Sequence, residues 1–329
     1  MTEPLSEEEG DRPRAAASGR VLVRVPAKVN LHLGVGALRR DHFHEVTTVY
    51  HAIGLFDEVS ARRGDTLTLT MEGEGTGTLA LDDSNLALRA ARALAEHTGR
   101  PAHARLHLRK QIPVAAGLAG GSADAAAALV ACDALWGTGL SRDELAAVAA
   151  RVGSDVPFLV YGGTALGTGR GDTVSPVLAR GNTWHWVLAL AEGGLSTPDV
   201  YAELDRMRSA GAGAGRASTA ATARQLSRLG STDPLLAALR QRDPAVLAAA
   251  LGNDLQAAAV SLRPALAGTL KAGLAAGALA GLVSGSGPTC VFLAADAAQA
   301  SAIAAALDGS GVCRTALAVP GPVAGARVV

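Results

Sequence analysis

The chain is short of the residues that mark several large classes of protein. Its three cysteines, Cys132, Cys290 and Cys313, are odd in number and lack metal-ligand spacing. Neither a disulfide framework nor a structural zinc site is expected, and each reads as a small core residue in a reduced, cytoplasmic setting. Phe, Trp and Tyr together make up only 3% of the residues. With no basic runs interleaved with aromatics, recognition of nucleic acid is not supported. Neither sign of charge prevails: Lys plus Arg and Asp plus Glu both total 30, and the pI is near 7.1. No overall field draws the chain to nucleic acid or to an anionic membrane, so charged ligands must be met locally. Long hydrophobic runs are missing too. The hydrophobic fraction of 49% is inflated by alanine, and no window reaches the roughly 18 uninterrupted apolar residues of a membrane span. Residues 1–19, "MTEPLSEEEGDRPRAAASG", are acidic and without an apolar centre. They read as a disordered tail, not as a signal or transit peptide.

What is there fits a soluble enzyme. A chain of 329 residues exceeds the usual limit of one compact core, so two domains are expected. "RVLVRV" from Arg20 alternates and is rich in valine, which predicts a strand running into Pro26 and then a second run, "VNLHLGV". "DTLTLTM" (65–71) and "ARLHLRK" (104–110) alternate likewise, and between them Asp83 or Ser84 is placed to cap a helix ending near Gly99. Further helices are expected over about 122–135 and from Ser141, where "SRDE" is a capping box. The small, aperiodic stretch 209–225 reads as a flexible insert. The division falls near residue 180, giving halves of 20–180 and 181–329.

"IPVAAGLAGGSADAAAALV", from Ile112, follows a strand and opens a helix with small residues. Glycines let the backbone approach phosphate oxygens, and the unpaired N–H groups and dipole of a helix N-terminus favour negative charge. Gly117, Gly120, Gly121 and the Ser122 hydroxyl form that cradle, or else merely a tight turn that packs closely. There is no G-x-x-x-x-G-K-[ST] and no G-x-G-x-x-G with a downstream acid, which excludes a Walker loop and leaves a Rossmann site unsupported. The compensating cation must come from elsewhere. Asp124 suits the dipole but repels phosphate, so an anion belongs over 117–122. A second glycine turn, "SGSGPTCVF" from Ser284, is either a hairpin turn or another backbone surface against phosphate.

Three segments taken together carry a resemblance. "PAKVNLHLGV" from Pro26, "PVAAGLAGGSADAAAAL" from Pro113 and "SGSGPTCVF" resemble, in order and spacing, the three motifs of the GHMP small-molecule kinases. With "RRDHFHEVTTVYHAIGLFDEV", "GSDVPFLVYGGTALGTGRGD" and "NDLQ", the chain from about 20 to 315 is similar to the branch that acts on a cytidine diphosphate-linked methylerythritol. The P-G-[KR] start of the mevalonate and galactose branches and the P-A-[ST] start of homoserine kinases do not fit.

The resemblance implies an α+β fold, with a ribosomal-protein-S5-like N-terminal domain holding a left-handed β-α-β crossover, a ferredoxin-like C-terminal domain, and a site between them. It implies ATP with Mg²⁺ and a small-molecule substrate; nothing in it calls for nucleic acid or membrane, and the chain is expected to be a monomer or homodimer. Carried over by position, Lys28 and Asp155 form the reactive pair, with Asp155 as base and Lys28 as its electrostatic partner. Pro113, Val114, Ala115, Ala116, Gly117, Leu118, Ala119, Gly120, Gly121, Ser122 and Ala123 form the ATP loop. Asn30, Phe43, His44 and Tyr201 meet the substrate, the base stacking between Phe43 and Tyr201 beside His44. His42 and Phe43 replace the glycine and tyrosine common in the family; stacking needs only a π face and survives. His42, His44 and His51 lack a third ligand at fitting spacing, so no protein-held metal site is expected. Ser122 is the nearest candidate for contact with Mg²⁺.

Overall fold

The computed structural model describes residues 19–177, 181–212 and 230–329. The expected tail (through residue 18), residues 213–225 of the expected insert and the expected boundary at 180 lie outside these ranges. Residues 209–212 continue a helix.

The first half opens with two long antiparallel strands, β1 (Arg20–Leu38) and β2 (His44–Arg62). Pro26 does not divide the first strand as the sequence suggests. The register with β2 slips between Pro26 and Ala27 instead, a bulge that accommodates the missing N–H donor while the strand continues. Then come β3 (Thr68–Gly73), α1 (Leu86–Thr98) and β4 (Arg105–Lys110), with β3 and β4 parallel. The N-cap of α1 is Asn85, whose side chain accepts from Ala87 N. Asp82 instead captures Ser84 through both its N–H and its hydroxyl, which leaves Asn85 the free capping position.

Next are α2 (Gly120–Trp136), α3 (Arg142–Ala150) with the anticipated Ser141/Glu144 capping box, and α4 (Val156–Tyr161). The hairpin β5 (Thr164–Thr168) and β6 (Thr173–Pro176) follows, β5 pairing with β2. Alternation along β1 turns Val21, Val23 and Val25 inward, where they join a core that includes α1 and α2. Helix α2 is buried along most of its length, and its alanines let it lie close to the sheet.

The second half begins with β7 (Trp184–Leu190), α5 (Thr197–Ala212), α6 (Asp233–Arg240) and α7 (Pro244–Ala250). A short β8 (Gly252–Asn253) joins β1 in the first sheet, followed by α8 (Gln256–Leu262) and α9 (Ala265–Ala275). The chain closes with β9 (Ala280–Val283), β10 (Cys290–Ala294), α10 (Ala297–Ser310), β11 (Thr315–Gly321) and β12 (Arg327–Val328), the last paired with β1. Strands β7, β9, β10 and β11 form an antiparallel sheet in the order β11-β7-β10-β9. Its period of two serves two cores: Trp184, Trp186, Leu188 and Leu190 face the first core, while Val187 and Ala189 face one built with α5, α8, α9 and α10. No helix among the described residues is long and apolar enough to cross a membrane.

Candidate active site

A cleft of about 480 Å³ lies where β1, the loop before α2, the turn before α4, the start of α5 and the 284–287 turn converge. Its floor is polar because β1 carries Lys28 and Asn30, both nearly buried. Lys28 Nζ donates to Asn30 Oδ1 at 2.7 Å, and Asn30 Nδ2 donates to Thr48 Oγ1 at 2.8 Å. Asp155, just before α4, turns one carboxylate oxygen to Lys28 Nζ at 3.4 Å and accepts the Tyr50 phenol on the other at 2.9 Å. Burial and the Asp155 charge raise Tyr50 well above the ordinary tyrosine range, so its phenol stays a donor. The same two causes push Tyr201, on the cleft wall, up to about 12. The cleft therefore holds a cation and a carboxylate in register, the first oriented by a neutral acceptor, Asn30 Oδ1, and the second by a neutral donor, the Tyr50 phenol.

The glycine loop reaches the cleft with its carbonyls already engaged. Those of Ala115, Ala116, Gly117 and Leu118 accept from Leu195 N, Thr289 N, Ser284 Oγ and Lys28 N respectively. A loop that presents carbonyl oxygens repels phosphate; tying them to protein donors lessens that repulsion. Gly117 has φ +76°, and a Cβ there would stand 2.1 Å from Ser284 O. Gly285, at φ +56°, brings the second glycine turn over the floor: its Cβ would meet Asn30 Oδ1 at 3.2 Å and Lys28 Nζ at 3.5 Å. The two glycine turns are thus in backbone contact. Ala115 and Ala119 adopt left-handed φ of 51° and 59°, a conformation that costs a non-glycine residue about 1–2 kcal/mol.

Lys28, Asn30, Asp155, Tyr201 and loop residues 115–117 and 119–122 line the cleft. Pro113, Leu118 and Ala123 are buried behind it, and Val114 lines an adjoining cavity of about 330 Å³. Leu86, Ala115 and Gly121 line both spaces, which makes them neighbours across one wall. His44 stacks on Tyr201 (centroids 5.1 Å, 27° between planes), with Nε2 3.0 Å from Asp205 Oδ1. Phe43 is exposed, with the Arg170 guanidinium 5.0 Å over its ring.

Sequence reasoning missed three members of the region. Tyr50 sits opposite Asn30 in the β1–β2 register, a relation no spacing reveals. Arg170 lines the cleft from the β5–β6 turn, braced by Asp172 Oδ2 at 3.1 and 2.8 Å. Lys110, which ends β4 just ahead of the glycine loop, is buried between Asp57 (2.6 Å) and Asp124 (2.7 Å). Asp57 also accepts the N–H groups of Gln111 and Ile112, which pins the start of the loop. Burial pushes Asp124 up to about 8 against the pull of Lys110, and its Oδ1 has no partner among the described residues. The anticipated repulsion between Asp124 and phosphate is thereby muted.

Residues 85–163 match the GHMP kinases N terminal domain, and residues 235–312 the GHMP kinases C terminal domain. Over 328 residues, all of both chains, the protein is 72% identical to the 4-diphosphocytidyl-2-C-methyl-D-erythritol kinase of Salinispora tropica. The chain belongs to the 4-diphosphocytidyl-2-C-methyl-D-erythritol kinase family. The member from Mycolicibacterium smegmatis is 56% identical over 95% of this chain and 93% of its own. A crystal structure of 4-(cytidine 5'-diphospho)-2C-methyl-D-erythritol kinase superposes with a TM-score of 0.69 at 29% identity, covering 92% of this chain and 99% of that one. Homoserine kinase from Cytophaga hutchinsonii superposes at 0.75 with 20% identity, covering 97% and 100%. The α+β GHMP fold is therefore shared across substrates, and the sequence distinguishes this kinase family from its neighbours.

Proposed function

We propose that this kinase transfers the γ-phosphoryl group of ATP to the 2-hydroxyl of 4-diphosphocytidyl-2-C-methyl-D-erythritol, a step in non-mevalonate isoprenoid precursor synthesis. The observation that carries the reading is the Lys28–Asp155 pair at 3.4 Å in a cleft walled by the glycine loop. Asp155 accepts the hydroxyl proton, and Lys28 steadies the carboxylate and the charge that develops on the reacting oxygens. Phosphoryl transfer is mainly positioning and charge stabilisation, and these two groups suffice for it.

Loop residues 113–123 hold the ATP phosphates. The start of α2, the engaged carbonyls and the absence of a Cβ at Gly117 fit an anion there. The adjoining cavity shared through Leu86, Ala115 and Gly121 takes the nucleoside. Mg²⁺ would be brought by the ATP phosphates, with the Ser122 hydroxyl on the cleft wall as the protein group placed to meet it. When bound, that ion offsets phosphate charge. Asn30, His44, Tyr201 and Phe43 surround the cytidine end, and Arg170 meets the diphosphate. A division near residue 180 into an ATP-binding half and a second half agrees with the change of sheet after β6. A cytoplasmic location agrees with three free cysteines.

A coupled assay for ADP decides the substrate. Turnover with 4-diphosphocytidyl-2-C-methyl-D-erythritol is expected. No ADP with it, alongside turnover of homoserine or mevalonate, overturns the reading in favour of another GHMP kinase; ATP binding without any turnover would leave a non-catalytic relative.

A further inference from the structure

The outer face of the first sheet carries two rows of charge built by the same strands in the same register. In one row Arg24, Glu58, Arg109 and Glu72 stand opposite one another across β1, β2, β4 and β3. Their signs alternate, with contacts of 3.0, 3.8 and 3.5 Å. Near the end of the sheet Arg20 faces Arg62, Arg62 faces Arg105, and Arg105 faces Thr68. Like charges directly opposite destabilise a sheet. Yet no carboxylate among the described residues pairs with any of these three arginines, Asp65 in the nearby β2–β3 connection included. Arg20 Nε is shielded from solvent and has no hydrogen-bond partner among them.

Between the rows the strands place Ser60, His107 and Thr70, with Thr70 Oγ1 2.9 Å from His107 Nδ1 and Glu72 of the balanced row 3.9 Å from His107 Nε2. Arginines, hydroxyls and imidazole enclose a groove of about 430 Å³. It lies eight positions along β1 from Lys28, roughly 26 Å at about 3.3 Å per residue.

We infer that this groove is a second anion site, separate from the cleft, which takes the diphosphate group of a small metabolite. Three guanidinium forks in a row span about 10 Å, two strand spacings of about 4.8 Å, which suits linked phosphates better than a single one. Forked N–H donors match phosphate oxygens in geometry and charge. The anion offsets the repulsion the sheet otherwise carries. The site is independent of the substrate assigned to the cleft.

The test is calorimetric titration of inorganic pyrophosphate, without Mg²⁺, into the full chain and into its R62Q/R105Q variant. Pyrophosphate entering the cleft is common to both and cancels. The wild type is expected to show a binding event weakened at least about tenfold in the variant, while kcat and KM stay equal. The variant should unfold at the same or a higher temperature without anion, since repulsion is removed, and gain less from added pyrophosphate than the wild type. Superimposable isotherms, or equal thermal gains, would overturn the site. So would binding that appears only after E7Q/E8Q/E9Q, because the chain's own acidic segment would then satisfy the arginines. Tighter binding of a single-stranded oligonucleotide than of pyrophosphate, lost in R62Q/R105Q, would overturn the small-ligand assignment.

Discussion

Tyr50 donates its phenolic hydrogen to Asp155 at 2.9 Å, on the carboxylate whose other oxygen faces Lys28 at 3.4 Å. The carboxylate is held from two sides, so its chemistry and its placement can be tested separately. Asp155→Asn keeps the shape and removes the base. It should lower kcat by about 10²-fold or more with ATP affinity nearly unchanged, as read by the coupled assay and by calorimetry. Wild-type turnover in this variant would remove Asp155 from the reaction.

Tyr50→Phe probes placement. The ring remains stacked on Phe158 at 4.9 Å, and only the hydrogen bond to the carboxylate is lost. A bond to a charged group is worth about 1.5–3 kcal/mol, so kcat/KM should fall roughly tenfold or more, and the melting temperature should drop by no more than a few degrees. If turnover is unaffected, Lys28 alone orients Asp155.

Two glycines of the loop should behave oppositely. Gly117→Ala drives a Cβ to within 2.1 Å of the Ser284 carbonyl at a left-handed φ, whereas a Cβ at Gly121 meets only Leu86 Cδ1 at 3.5 Å. The first substitution should lower the melting temperature by several degrees, and the second should leave it nearly unchanged. Equal effects would mean that backbone contact between the two glycine turns does not set the loop.

The buried Asp57–Lys110–Asp124 cluster makes stability depend on pH. Burial raises Asp124 from 3.8 to about 8 in the fold, with Lys110 opposing. The folded state therefore holds a proton that the unfolded chain releases near pH 4. This contribution is complete below that point and is lost as pH climbs through about 8. Asp124→Asn lacks the dependence, so its melting temperature relative to wild type should rise from about pH 5 to pH 8 and level off above that. A constant difference across that range would show that Asp124 ionises in the fold as it does in water.

Arg170→Met should raise the KM for the cytidylyl substrate about tenfold and leave the KM for ATP unchanged, since Arg170 lines the cleft from the β5–β6 turn. A shift confined to ATP would move this arginine to the other phosphate group.

Much of the site was legible because its parts are local. The strand, glycine turn and helix around Gly117 read locally as an anion cradle or a tight turn, and the resemblance carried by "PAKVNL" and "GSDVPF" pointed to Lys28 and Asp155, which lie 3.4 Å apart in the structure. Capping followed the same logic at Ser141 but not at Asn85, where Asp82 competes for the neighbouring Ser84 N–H and hydroxyl. Pro26 signalled a break that β2 bridges, because a bulge removes the need for the missing donor. The expected placement of His44 at the edge of a base did not anticipate that its ring would lie on Tyr201, since their contact joins β2 to α5.

The sequence by itself determined the two glycine turns, which rest on residue type and short spacing, and the family, which rests on three motifs; the pairing of Lys28 with Asp155 followed only from that resemblance. Tertiary structure alone decided that Tyr50 braces Asp155, that Lys110 is buried between two aspartates, and that three arginines align at the sheet's end. Each of these depends on strand register or on packing between distant segments. A one-residue slip would turn those side chains to the opposite face, and no local pattern in the chain records which register is chosen.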